Sequence, residues 1–170
     1  MKLKNRHFLR SDEIKRLKKE ISDKFGEDSI IKILPKNSKV EIAELEDFFP
    51  IYIINNKIML FRKNSQLIPS LKALRNNILD LPEIIVDMGA IKYVVNGADV
   101  MRPGIVEIND NIKEGSYVKI IEMSFKRPLA IGIALYDANV IKSMKKGKVI
   151  KNIHYINDKI WKFLENSSKI

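Results

Sequence analysis

The chain has 170 residues, enough for one domain or two small ones with a real hydrophobic core. It contains no Cys, which excludes disulfides and thiolate chemistry, and its two His, His7 and His154, are too few for an ordinary transition-metal ligand set. The formal net charge of +10 is shared evenly, with 17 Lys/Arg against 12 Asp/Glu in residues 1–83 and 14 against 9 in residues 84–170. The whole protein, rather than a tail, is therefore drawn to polyanions, and nucleic acid is the commonest of these in a cell. No apolar run approaches the roughly 20 residues that span a bilayer. The opening MKLKNRHFLRSDEIKRLKKE lacks the apolar centre of a signal peptide, so the expectation is a cytoplasmic protein with no membrane contact.

Ser11 is placed to cap a first helix, with Asp12 and Glu13 in its first turn, where the helix dipole favours acids. Ile14, Leu17, Ile21 and Phe25 recur at helical spacing, and Gly26 is placed to end the element. Lys15, Arg16, Lys18 and Lys19 fill the other faces and read as a solvated surface. Short β-like runs follow: IIKIL at 30–34, KVEIAEL at 39–45, and a hairpin of IYII (51–54) and KIMLF (57–61) around Asn55-Asn56. SLKALRNNIL, 70–79, reads as a short helix after Pro69. This first unit is a small α/β domain with an antiparallel sheet, residues 1–82.

Beyond Pro82 the texture changes, with six of the seven Gly lying from Gly89 onward. Strands come quickly: EIIVD (83–87), GIVEI (104–108), YVKIIEM (117–123), PLAIGIALY (128–136) and KVIKNIHY (148–155). Close strands with Gly turns predict a small barrel, residues 83–165, interrupted by helices at 89–97 and 137–144. Asp137 is the expected cap of the second helix and Gly147 its stop. The whole is an α+β protein whose two units are expected to pack on each other.

One stretch concentrates special backbone: NGADVMRPGIVEI, 96–108, holds Gly97, Pro103 and Gly104 within eight positions. Gly97 allows positive φ and close approach of another chain, Pro103 fixes φ, and Gly104 turns the chain into a strand. A helix starting at Gly89 would also present N–H groups. Lys92 and Arg102 bracket the stretch with positive charge, a combination able to seat a sugar–phosphate backbone.

The segment VDMGAIKYVVNGADVMRPGIVEI, 86–108, resembles the core motif of the PUA domain, with Asp87, Gly89, Ala90, Lys92, Gly97, Ala98, Pro103, Gly104 and Ile105 in the pattern. PLAIGIAL (128–135) resembles the later Ala-x-Gly strand of that domain. KGKVIKNIHYINDKIW (146–161), together with ILPK, LFRK and IPSLKAL in the front half, resembles one branch, the malignant T-cell-amplified sequence proteins and their archaeal relatives. The resemblance implies a pseudo-barrel that binds structured RNA without cofactor, metal or catalytic residues. It implies an RNA surface made of Lys92, Tyr93, Gly97, Ala98, Met101, Arg102, Pro103 and Gly104, with Lys148 and Lys151 from a late strand. It also implies a non-enzymatic translation factor contacting small-subunit rRNA or tRNA, in initiation, reinitiation or recycling. The partners implied are the small ribosomal subunit and a protein like the density-regulated protein. Ligatin is similar and carries both parts in one chain.

Two other readings bear on function. His154 and Asp158 are placed as a local polar pair, with Trp161 as a core anchor, rather than as a catalytic site, since no nucleophile accompanies them. Asp87 and Asp99 likewise read as turn or cap residues rather than an acid/base pair. The second reading is a protein–protein adaptor in which the front domain docks a partner through Phe48 and Phe49, with RNA binding secondary. Phe125, in the loop MSFKRPL beside Lys126 and Arg127, is open between contact with RNA or a partner and simple closure of the barrel.

Overall fold

The computed structural model describes residues 3–45 and 49–166. Two compact units divide near Leu79/Asp80, and each is described by itself. The first contains β1 (Leu3–Phe8), α1 (Ser11–Phe25), α2 (Asp28–Ile33), β2 (Val40–Leu45), β3 (Pro50–Ile54), β4 (Lys57–Lys63), β5 (Gln66–Pro69) and α3 (Leu71–Arg75). Its five strands form an antiparallel meander in chain order. Asn55 and Asn56 both take positive φ in the β3–β4 turn, as the Asn-Asn pair predicts.

Three elements depart from the sequence reading. The charged start is a strand, β1, whose exposed residues carry no alternation; the Arg6 guanidinium anchors it by a two-pronged bond to Glu41 at 3.0 and 2.9 Å. Helix α1 begins at Ser11 itself, and the cap is supplied from inside by Glu13, whose carboxylate accepts the Arg10 N–H at 2.8 Å. IIKIL is not a strand: its front part lies in α2, because Ile33 and Leu34 are buried while Ile31 and Lys32 are exposed, a helical rather than alternating pattern. Gly26 ends α1 at φ +85°, and Ser29 stitches the two helices by donating to the Phe25 carbonyl at 2.6 Å. Phe48 lies outside the described residues, and Phe49 is half-buried, with the Lys63 ammonium 5.9 Å from its ring centre.

The second unit contains β6 (Glu83–Val86), α4 (Met88–Val94), β7 (Val100–Met101), a single 3-10 turn (Arg102–Gly104), β8 (Ile105–Ile108), β9 (Tyr117–Glu122), β10 (Pro128–Ala134), α5 (Ala138–Ser143), β11 (Lys148–Tyr155) and α6 (Lys159–Asn166). The strand order is β7-β11-β10-β9-β6-β8, antiparallel except for the β6/β9 pair. The two edge strands, β7 and β8, are joined by only the three residues of the 3-10 turn. The sheet must therefore curl until its edges meet, which makes it barrel-like. Its core includes Ile84, Val86, Val118, Ile120, Val149 and Ile150. A Cβ at Gly132 would come within 2.2 Å of the Ile150 side chain, so a glycine is what lets β10 and β11 lie flush.

Asp158 links the end of β11 to α6. Its Oδ2 accepts from His154 Nδ1 at 2.6 Å and from the Tyr155 N–H at 3.1 Å, and its Oδ1 caps α6 by accepting the Trp161 N–H at 2.7 Å. An ionised carboxylate only accepts, so Nδ1 carries the proton. His154 is fully buried, and Trp161 is buried as expected. Burial pushes the Asp158 carboxyl up, but His154 and the two backbone N–H groups outweigh it, and the carboxyl titrates below the ordinary aspartate range. A depressed folded-state pKa gives stability that is present above the unfolded value of about 4 and lost as pH falls through the folded value. Asp158→Ala removes a cap and a buried bond, so thermal unfolding at pH 7 should report a loss of about 2–4 kcal/mol. The difference from wild type should shrink as the pH is taken below about 4.

Candidate nucleic-acid interface

Helix α4 is positioned by Asp87, whose Oδ1 accepts the Ala90 N–H at 2.8 Å while its own N–H donates to the Gly104 carbonyl at 2.9 Å. The helix start expected to offer N–H groups to an anion therefore already holds a carboxylate. A Cβ on Gly104 would lie 3.1 Å from the Ala90 Cβ, so two small residues let the first turn of α4 sit against the 3-10 turn. Past the helix, Gly97 takes φ +88°, where an added Cβ would fall 2.7 Å from the ring of Tyr155. The close approach that demands glycine here is made by the protein's own tyrosine.

Asn152 of β11 fastens this loop. Its Nδ2 donates to the carbonyls of Val94 and Ala98, both at 3.0 Å, and its N–H donates to Asp99 Oδ1 at 2.8 Å. Asp99 also pairs with the Lys148 ammonium at 2.6 Å. Burial pushes the Asp99 carboxyl up, but Lys148, the Asn152 N–H and nearby Lys151 outweigh it and hold the carboxyl below its usual range. Asp99 is thus a tie between β11 and the loop rather than a local cap. The sequence carries no signal for this, because its partners lie about fifty residues on.

Between α4 on one side and β7 with the 3-10 turn on the other runs a cleft of about 660 Å³. Tyr93, Ala98, Met101, Pro103, Gly104 and Lys148 of the expected surface line it, and most of the remaining lining is apolar. Tyr93 and Met101 are 58% and 49% exposed, so the cleft presents apolar surface to solvent. Lys92 is exposed on α4, its ammonium 4.9 Å from the Tyr93 ring centre, and Lys151 is exposed on β11. Arg102 is used differently: its Nε donates to the Ile141 carbonyl at 2.8 Å and its Nη1 to that of Ile105 at 3.2 Å. Its guanidinium braces α5 against the start of β8. The Arg102 N–H also donates to the Gly147 carbonyl at 2.8 Å, which brings the exposed Lys145 and Lys146 to the same end of the unit. Lys145 is not among the residues singled out from the sequence, and Lys146 enters there only within the resemblance at 146–161. Asp137, the expected cap of α5, stands at the N-cap position but spends its carboxylate on the Glu114 N–H at 2.8 Å. Among the described residues no group of three or more His, Asp or Glu is placed to hold a metal ion, and no helix is long and apolar enough to cross a membrane.

The barrel-like unit and its α4 cleft define the class of module: residues 82–156 match the PUA domain, and residues 5–77 match a domain of unknown function, DUF1947. An uncharacterized protein of Methanocaldococcus jannaschii is 42% identical over 163 residues, covering 96% of this chain and 99% of its own. Translation machinery-associated protein 20 of Saccharomyces cerevisiae is 34% identical, covering 81% of this chain and 79% of its own. A hypothetical protein of Pyrococcus horikoshii superposes with a TM-score of 0.81 at 39% identity, covering 94% and 99% of the two chains. Malignant T-cell-amplified sequence 1-B of Xenopus laevis is 31% identical over 90% of this chain and 88% of its own. The chain belongs to the family of the malignant T-cell-amplified sequence proteins and translation machinery-associated protein 20, with archaeal relatives.

Gly97→Ala tests the internal packing of the loop. The substitution meets both an unfavourable φ and the Tyr155 ring, so it should destabilise the protein by about 2 kcal/mol in denaturant unfolding. Pairing it with Tyr155→Ala should recover only the part due to the ring.

Proposed function

We propose that this protein binds structured RNA, rRNA or tRNA, through the face formed by α4, β7 and β11, as a non-enzymatic factor of translation. Residues 1–82 and 83–165 are its two domains, with the second carrying the RNA. The observation that carries the reading is the solvent-open apolar cleft beside exposed Lys92 and Lys151 in a chain of net charge +10. Apolar and aromatic walls accept bases, and flanking ammonium groups neutralise phosphates. The PUA match and the name of the Saccharomyces cerevisiae relative, translation machinery-associated protein 20, support the same direction.

The roles differ along this surface. Lys92 and Lys151 are the leading phosphate contacts. Lys148 has to exchange Asp99 for a phosphate, and Arg102 shapes the site from behind. Tyr93 and Met101 supply contact area, and Gly97 and Ala98 form the turn that carries them. On the small ribosomal subunit this face would meet rRNA or tRNA, leaving the front domain for a protein of the density-regulated kind.

Binding of tRNA and of small-subunit rRNA fragments across a salt series tests the proposal. Lys92→Ala/Lys151→Ala should weaken binding about ten-fold at 0.1 M salt and flatten the salt dependence by about one unit per lysine. Its melting temperature should be unchanged, because both side chains are exposed. Arg102→Ala is a poor probe, since it frees two backbone carbonyls. Equal binding by wild type and the double variant would move the RNA site elsewhere. Absence of RNA binding, with salt-insensitive capture of a protein by the front domain, would favour the adaptor reading.

A further inference from the structure

We infer that the loop between β9 and β10, residues 123–127, is a second RNA contact, in which the Phe125 ring stacks on an unpaired base. The inference rests on the RNA-binding reading above and extends it to a separate structural element. Phe125 is 74% exposed, the most exposed of the large hydrophobic residues described. A side chain of this size left in water at the tip of a tight turn loses burial that the fold could otherwise gain.

The turn is built to hold it there. Glu122, at the end of β9, is buried, and its carboxylate accepts the N–H groups of Ser124 and Phe125, both at 2.7 Å, and of Arg127 at 3.2 Å. Between these bonds Lys126 sits at φ +54°, a conformation that non-glycine residues seldom keep without support. Burial pushes the Glu122 carboxyl up, but the three amides and the Arg127 charge outweigh it and keep it below the ordinary glutamate range. The loop is therefore ordered before any ligand arrives, and binding pays little for fixing it.

The chemistry at the tip fits RNA. The Arg127 guanidinium lies 5.1 Å from the Phe125 ring centre, a cation over an aromatic ring. The ring's exposure leaves surface for a base, and Arg127 and Lys126 bring charge for the adjoining phosphates. Of the acids nearby, Glu122 is enclosed by the turn, and Glu107 faces the Lys126 ammonium at 3.9 Å. The loop is also continuous with α4: Ser124 Oγ donates to Met88 Sδ at 3.3 Å, and Met88 is 60% exposed one turn before Lys92. One RNA strand following α4 therefore reaches Phe125 within roughly 10 Å of helix length.

The test uses the full chain and two RNAs: a stem-loop with a single-stranded 3′ extension carrying 2-aminopurine, and the same stem with a blunt end. Phe125→Ala and Phe125→Leu should each weaken binding of the extended RNA by about ten-fold. They should also abolish the stacking quench of 2-aminopurine and leave the salt dependence and the blunt stem unaffected. Phe125→Trp should restore both affinity and quench. If Phe125→Leu binds and quenches as wild type does, or if all three variants do while Lys92→Ala/Lys151→Ala remains defective, the stacking role is overturned and the α4 surface stands alone. If the wild type binds neither RNA, the RNA reading itself falls. If the Phe125 variants keep RNA affinity but lose a protein partner, the loop is a protein contact and the inference is overturned.

Discussion

Asn152, through its side-chain amide and its backbone N–H, holds the candidate surface together. From a single position on β11 it ties the end of α4, the Gly97-Ala98 turn and Asp99, three features that lie more than fifty residues earlier in the chain. Neighbouring residues of the same strand do related work. Tyr155 packs its ring on Gly97, Ile150 pairs with Val100 across the ladder, and Lys148 closes on Asp99. Each bond is modest, on the order of 1 kcal/mol net, and together with the turn's own backbone bonds to the Tyr93 and Val94 carbonyls they fix the shape of the loop. The cleft is open because β11 holds its floor in place.

A positive net charge does not say which cations are available. Arg62 is bound by both carboxylate oxygens of Glu20, and Glu20 together with the Tyr52 hydroxyl raises its pKa. Lys119 lies between Asp80 and Glu83 at 2.8 and 3.2 Å, and Arg102 is committed to two carbonyls. These groups stabilise the fold and are poorly placed to meet a polyanion. Lys92, Lys145, Lys146 and Lys151 of the second unit are exposed and so remain available to a polyanion. The same distinction separates Arg127, exposed on its loop, from Arg102, which is turned onto two backbone carbonyls.

Much of the fold was legible where local chemistry decides it. The face of α1, its glycine stop, the Asn-Asn hairpin and the succession of strands after Pro82 all follow from periodicity and turn residues. The failures share a cause. In α2 a short apolar run fits either period, and continuity with α1 through Ser29 selected the helix. In β1 the pairing with β2, with Arg6 held by Glu41, outweighs a sequence with no apolar alternation. Asp87 acts as the expected cap, whereas Asp137 does not, because Glu114 lies close enough to claim its carboxylate.

By itself the sequence determined the class of molecule: a basic α+β chain without cysteine, with a glycine-rich barrel half and a motif between α4 and β8 that resembles the PUA domain. Glycine and proline placement, charge and period are properties of neighbouring residues, and they survive without three-dimensional context. Only the tertiary structure decided what each motif residue does. It set Gly97 against Tyr155, turned Arg102 inward, placed Lys148 on Asp99 and left Phe125 in solvent. Those outcomes depend on which groups meet across tens of residues, and a barrel whose two edges are joined by three residues brings together partners that no local pattern names.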